Sequence, residues 1–158
     1  MLRSAGGTAF AGDFVVATAD EERLQVVLVD VSGKGVEAGT RSLLLSGAFG
    51  GLLTAVPADR FLPAANEFLL RQDWDEGFAT AVHVSLVLAT GEYTVYSAGH
   101  LPPVHLRAGS GAVDLVPARG GPALGVLEGA TFPAVRGRIE PGDIVLLYTD
   151  GLVETPGG

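Results

Sequence analysis

The sequence predicts an α+β sandwich in which sheet packs on sheet and helices lie outside. Strand-like runs dominate both ends of the chain, the two helical segments are consecutive between residues 34 and 72, and the later runs are joined by short turns rather than by helices. A parallel, alternating β/α chain would need a crossover helix between successive strands. The length suits one domain with a real core, and residues 1–158 are read as one unit without internal repeats or low-complexity segments.

The first element is a hairpin. From Ala11 to Thr18 the residues Phe14, Val15, Val16 and Ala17 suit a strand, Ala19-Asp20-Glu21-Glu22 forms a polar turn, and a second strand runs from Leu24 to Val31. A turn centred between Glu21 and Glu22 sets Asp13 directly opposite Asp30. Like charges so placed repel, and a cation between them is the simplest compensation. Asp30 also ends the unbroken apolar run Val26-Val27-Leu28-Val29, immediately before the turn Ser32-Gly33-Lys34-Gly35. A carboxylate where a buried strand meets the surface is exposed, caps the next helix or binds a cation. The strand alone leaves these readings open.

The helices come next. Lys34-Gly35-Val36-Glu37 leads into a helix reaching Ala55, and Pro57-Ala58-Asp59 restarts a second from Arg60 to Gln72. The apolar stretch Leu43 to Val56 is broken by Ser46 and Thr54 and is shorter than the roughly 20 residues a membrane span needs. It is read as a buried packing helix, whose interior glycines, costing roughly 1 kcal/mol each relative to alanine, require close packing in return.

Beyond the acidic turn Asp73-Trp74-Asp75-Glu76-Gly77, the runs Ala79 to Ala89 and Glu92 to Ala98 form a hairpin around Thr90-Gly91. Val104 to Arg107 and Val113 to Val116 flank Ala108-Gly109-Ser110-Gly111, and Val135 to Arg138 and Ile144 to Thr149 flank Glu140-Pro141-Gly142-Asp143. This half reads as an antiparallel meander whose last strand, Ile144 to Thr149, is buried and ends at Asp150-Gly151.

Composition narrows the chemistry. With 10 basic and 18 acidic residues the net charge is −8, which argues against nucleic acid as a partner because phosphate-backbone binding draws on Lys and Arg. No cysteine is present, so a metal must be held by oxygen or imidazole, which favours Mg²⁺ or Mn²⁺. Met1-Leu2-Arg3-Ser4-Ala5-Gly6-Gly7 lacks the apolar stretch of a secretion signal, and a cytoplasmic location without membrane insertion is expected. Three aspartates at strand ends, Asp13, Asp30 and Asp150, then call for one explanation: carboxylates for one or two hard divalent cations, completed by turn carbonyls and water.

Five separated motifs carry a family resemblance. They are Ala11-Gly12-Asp13-Phe14, Val29-Asp30-Val31-Ser32-Gly33-Lys34-Gly35, Ser97-Ala98-Gly99-His100-Leu101-Pro102-Pro103, Leu124-Gly125-Val126 and Leu147-Tyr148-Thr149-Asp150-Gly151-Leu152-Val153-Glu154. In order and spacing the chain resembles the metal-dependent type 2C Ser/Thr protein phosphatases, in their bacterial SpoIIE/RsbU-like branch. The resemblance implies a four-layer αββα sandwich of two mainly antiparallel sheets flanked by helices. It implies two Mn²⁺ or Mg²⁺ ions whose shared water or hydroxide attacks phosphoserine or phosphothreonine directly. Asp30 would bridge both ions, Asp13 and the Val31 carbonyl would complete one, and Asp150 would bind the other. The implied substrate is a phosphorylated protein, an anti-anti-sigma factor in a sigma-factor switch.

The chain departs from the family pattern in three places. Members usually read Gly-Gly-Asp-Phe-Tyr-Asp where this chain has Ala11-Gly12-Asp13-Phe14-Val15-Val16, and usually have Gly where this chain has Val29. The family also continues through a helix and a strand bearing a further metal-binding aspartate, so a chain ending at Gly158 is expected to be C-terminally truncated and to lack that ligand. The rival reading is a noncatalytic phosphatase-like domain that binds a regulatory protein.

The remaining polar residues have plainer readings. His100 is expected to pack in its proline turn and bond to backbone rather than to metal, and His83 and His105 to be ordinary sheet residues. Lys34 lacks the spacing of a nucleotide-binding P-loop but could face an incoming phosphate, and Glu154 is read as a solvated charge.

Overall fold

The computed structural model of the chain describes residues 12–33, 35–117 and 120–152. The readings made for the N-terminal seven residues, Ala11, Lys34, Val153 and Glu154 therefore lie outside the described residues.

Strands β1 (Asp13–Ala19) and β2 (Arg23–Val31) form the expected hairpin, with Asp13 paired to Asp30 and Ala19 to Leu24. The turn holds this register chemically: the Asp20 carboxylate accepts from the backbone N–H groups of Glu22 and Arg23, both at 2.8 Å. Helices α1 (Gly35–Ala55) and α2 (Ala58–Leu70) follow, then β3 (Ala79–Val87) and β4 (Glu92–Ala98). The short strands β5 (Val104–Leu106), β6 (Val113–Leu115), β7 (Val135–Arg138) and β8 (Ile144–Leu146) complete two antiparallel sheets, ordered β1-β2-β3-β4-β7 and β6-β5-β8.

Strand alternation divides the core in two. Phe14, Val27, Val29 and Val31 point to one face of the large sheet and meet Leu45, Phe49, Leu53, Phe61 and Leu62 of the helices. Leu28, Val82, Tyr93 and Val95 point to the other face, toward Val145 and Leu147 in and beyond the small sheet. Phe49 joins the two helices to the sheet, its ring 5.9 Å from Phe14 and 5.7 Å from Phe61 between centroids. An apolar cleft of about 470 Å³ remains between the sheets, lined by Val15, Val26, Leu28, Val84 and Leu147 among others. It contains no acid or imidazole and is remote in kind from metal chemistry.

Three expectations need correction. The segments around Glu140-Pro141-Gly142-Asp143 do not pair with each other: β7 joins β4 in the large sheet and β8 joins β5 in the small one. The turn is a crossing between sheets, because each short strand finds an open edge on a different layer. The strand before Asp150 is neither as long nor as buried as expected; it ends at Leu146, and Ile144 is 56% exposed, because β8 is the edge of the small sheet and its outward side chains have no cover. Helix α1 buries one face only, through Ala38, Ser42, Leu45, Phe49 and Leu53, while Leu43 is 76% exposed. Of its interior glycines, Gly50 packs closely on Val16, whereas Gly47 and Gly51 face open space.

Helices cover the outer face of the large sheet, so among the described residues three of the four expected layers are seen. No helix among the described residues is long and apolar enough to cross a membrane.

Candidate metal centre

Asp13 opens β1 and Asp30 is the penultimate residue of β2, so their pairing puts both carboxylates on the face that looks toward the small sheet. Thr80 of β3 is the next residue in the same row, paired with Asp30. Asp150 comes from the other end of the chain, where a 3-10 turn over Asp150–Leu152 follows β8 after three unpaired residues. It was expected at a strand end; it stands in this turn instead.

Asp30 lies within hydrogen-bonding reach of both Asp13 and Asp150. Half burial, then the Asp13 carboxylate, then that of Asp150 push its pKa up from 3.8 to about 7. Among the described residues no Lys or Arg forms an ion pair with any of the three. Nor do three acidic or imidazole side chains surround a single point. Asp30 is the carboxylate within reach of the other two, Asp13 and Asp150.

The donor chemistry fits hard cations. Uncompensated carboxylates in a partly desolvated site are what a divalent ion neutralises, and a shared central carboxylate suits two ions better than one. Beside them opens a cleft of about 440 Å³ whose walls include Asp30, Val31, Ser32, Thr80, His100 and Asp150.

Backbone packing supports the Val31 position. The Val31 N–H donates to the Gly12 carbonyl at 2.9 Å, and the Ser42 hydroxyl of α1 donates to the same oxygen at 2.9 Å. A side chain on Gly12 would meet the Val31 carbonyl oxygen at 3.1 Å, so glycine is what lets β1 begin so close to that oxygen. Ser32 is occupied in fastening the loop before β3: its hydroxyl donates to the Glu76 carbonyl at 3.2 Å and accepts from the Phe78 N–H at 3.0 Å.

His100 bonds to backbone as expected, but to a distant part of it. Its Nε2 is 2.8 Å from the Tyr148 carbonyl oxygen and its Nδ1 is 3.0 Å from the Thr80 hydroxyl. A carbonyl only accepts, so Nε2 carries the proton. Burial lowers the His100 pKa, against the Tyr148 carbonyl and the charges of Asp13 and Asp150, which act to raise it. In the neutral ring Nδ1 accepts from Thr80.

His83 and His105 are both fully buried sheet residues far removed in role from this site. His83 bonds Gln25 at 3.0 Å, and His105 joins Asp143 at 2.8 Å and the Tyr93 hydroxyl at 3.2 Å. Thr80 was not anticipated in the site. Its only signal in the sequence is a polar side chain within an apolar strand, which acquires meaning once β2 and β3 are known to pair.

Comparison with known proteins adds an independent line. The family model described as Stage II sporulation protein E (SpoIIE) matches residues 20–158. The phosphoserine phosphatase RsbU of Bacillus subtilis (strain 168) is 25% identical over 146 residues, covering 91% of this chain and 43% of that protein. The crystal structure of the RsbU and RsbW domains of Rv1364c from Mycobacterium tuberculosis is similar at a TM-score of 0.85 and 35% identity, over 97% of this chain and 42% of that one. The PP2C phosphatase domain of SpoIIE from Bacillus subtilis, solved with a fragment of its regulatory domain, shares the fold at a TM-score of 0.80 and 19% identity, over 93% and 43%. The chain spans less than half the length of each of these.

Proposed function

The chain belongs to the SpoIIE family of PP2C-like proteins, and from that premise we propose that residues 1–158 form a metal-dependent phosphoserine/phosphothreonine protein phosphatase domain. The observation that carries the proposal is Asp30 within reach of both Asp13 and Asp150, with no protein cation paired to any of the three among the described residues. Asp30 would be shared by two Mn²⁺ or Mg²⁺ ions, Asp13 and the Val31 carbonyl would serve one, and Asp150 the other. When bound, such ions supply an acidified water as nucleophile and neutralise charge on phosphoryl oxygens.

The chain's own groups would hold and orient. Asp30 must shed its proton to serve as a ligand, so with its pKa raised to about 7 an ion binding below neutral pH must displace that proton. No cysteine nucleophile exists in the chain, and the Ser32 hydroxyl is engaged in fastening the loop through Glu76 and Phe78. The open cleft beside Asp30 and Asp150 has room for a phosphorylated side chain presented by another protein. The substrate that the family resemblance implies is an anti-anti-sigma-type phosphoprotein of a cytoplasmic sigma-factor switch, and the relative named a phosphoserine phosphatase is consistent with a phosphoprotein.

The test is release of phosphate from a phosphoserine peptide in Mn²⁺, with and without chelator, by the parent and by Asp30→Asn. Turnover that needs the metal and is lost in the variant is expected. Turnover that survives chelation, or is undiminished in Asp30→Asn, overturns the proposal. Metal binding with no turnover on any phosphopeptide or phosphoprotein favours the noncatalytic, partner-binding reading instead.

A further inference from the structure

We propose that His100 is a positioning residue that sets where Asp150 stands relative to Asp30, by clasping Thr80 with one ring nitrogen and the Tyr148 carbonyl with the other. The inference rests on the metal-centre reading above and adds a residue to it.

The two ends of the clasp are what make it specific. Thr80 is the direct cross-strand partner of Asp30, so its hydroxyl moves with the β2–β3 ladder that carries the central carboxylate. Tyr148 lies two residues before Asp150, in the unpaired stretch 147–149 after β8 has ended. Among the described hydrogen bonds, the one from His100 is the tie between that stretch and the large sheet. Leu147 packs against the core under the large sheet, but beyond it the His100 bond is the polar tie that holds Asp150 near Asp30 against the repulsion of their charges.

The ring itself is firmly based. The Ser97 hydroxyl is 3.3 Å from both the N–H and the carbonyl oxygen of His100, and Gly99 takes φ +64° so that the chain can turn between them. A side chain on Gly99 would meet the Ala123 backbone nitrogen at 3.1 Å. With Nε2–H given to Tyr148 and Nδ1 taken by Thr80, no lone pair is left for a metal or for a proton in transit. His100 therefore acts through Asp150 and touches no reacting atom.

Calorimetric Mn²⁺ titration separates this role from general support. Asp150→Asn identifies the ion that depends on Asp150. His100→Ala should weaken that ion at least tenfold while the ion held by Asp13 and Asp30 changes less than threefold, and the double variant should bind no worse than Asp150→Asn alone. Thr80→Val, which keeps the shape and removes the hydroxyl, should reproduce part of the effect, and His100→Gln, whose amide N–H can reach the Tyr148 carbonyl, should restore part of it. Should His100→Ala fail to fold, Thr80→Val and His100→Gln carry the same comparison. Parent-like binding of the Asp150-dependent ion in these variants, or equal weakening of both ions, overturns the positioning role while leaving the metal centre intact. Absence of any Mn²⁺ binding by the parent instead removes the metal centre, and this proposal with it.

Discussion

Asp13 and Asp30 face each other directly across the β1–β2 ladder, two carboxylates on one face of a sheet with no protein cation paired to either among the described residues. A fold gains nothing from that opposition by itself. Cross-strand like charges are destabilising, and Asp30 is half-buried as well.

The first prediction follows from that cost. Asp30→Asn should abolish tight Mn²⁺ binding, read by calorimetry, while raising the melting temperature of the metal-free protein at pH 8. After solvent screening at a half-exposed site the gain should be about 1 kcal/mol, seen as a few degrees. A metal-free variant less stable than the parent at pH 8 would show that the opposed carboxylates are not in conflict.

Metal binding should also displace a proton. The Asp30 pKa of about 7 means the carboxyl is largely protonated at pH 6 and ionised at pH 8.5. Titrations in buffers of different ionisation enthalpy should therefore give roughly one proton released at the lower pH and about none at the higher. Equal release at both would contradict the raised pKa.

The half-buried Asp30 and the buried His83 should oppose each other in the pH dependence of metal-free stability. For Asp30 the folded pKa is raised, so its contribution is complete below 3.8 and lost as pH rises through about 7. His83 is the reverse case: burial holds it down to about 4 from 6.5, so the unfolded chain binds more protons between these values and acidification destabilises the fold. Between pH 4 and 6.5 the two slopes partly cancel. Denaturant melts should show Asp30→Asn losing stability more steeply than the parent on acidification, and His83→Phe gaining it. Parallel profiles for parent and both variants would refute the assignment.

Gly12→Ala should damage the metal site without touching a carboxylate. The new methyl meets the Val31 carbonyl oxygen at 3.1 Å, and a backbone oxygen on a paired strand can retreat only by disturbing the ladder. Mn²⁺ affinity should fall on the order of tenfold, as for other groups that orient ligands. Unchanged affinity would exclude the Val31 carbonyl as a ligand.

The last prediction concerns stability away from the site. His105 is fully buried and holds the Asp143 carboxylate at 2.8 Å, and that carboxylate also accepts from the N–H groups of Ala108 and Glu140. The Glu140 N–H, then His105, then the Ala108 N–H lower the Asp143 pKa to about 2, so this network persists from above pH 3.8 and is lost as pH falls through 2. His105→Ala leaves a cavity and removes one of the three partners of the Asp143 carboxylate, and the cavity should cost about 2–4 kcal/mol in denaturant melts while Mn²⁺ affinity stays at the parent value. A large loss of affinity would mean that the network reaches the metal centre.

The sequence by itself determined the β1–β2 hairpin down to its register, because turn chemistry and side-chain alternation are local. Asp20 caps the turn, the apolar pattern faces inward, and the opposition of Asp13 to Asp30 follows. The elements β3 and β4 and the two helices were legible for the same reason. Which sheet a three- or four-residue strand joins was not, since β7 and β8 carry too few residues for their own pattern to prefer one open edge over another. Only the tertiary structure decided that the sandwich closes so that Asp150 arrives beside Asp30, with His100 spanning from Thr80 to Tyr148 to hold it there. That closure depends on burying the inner faces of both sheets at once, a condition that involves residues from both ends of the chain and appears in no single segment of it.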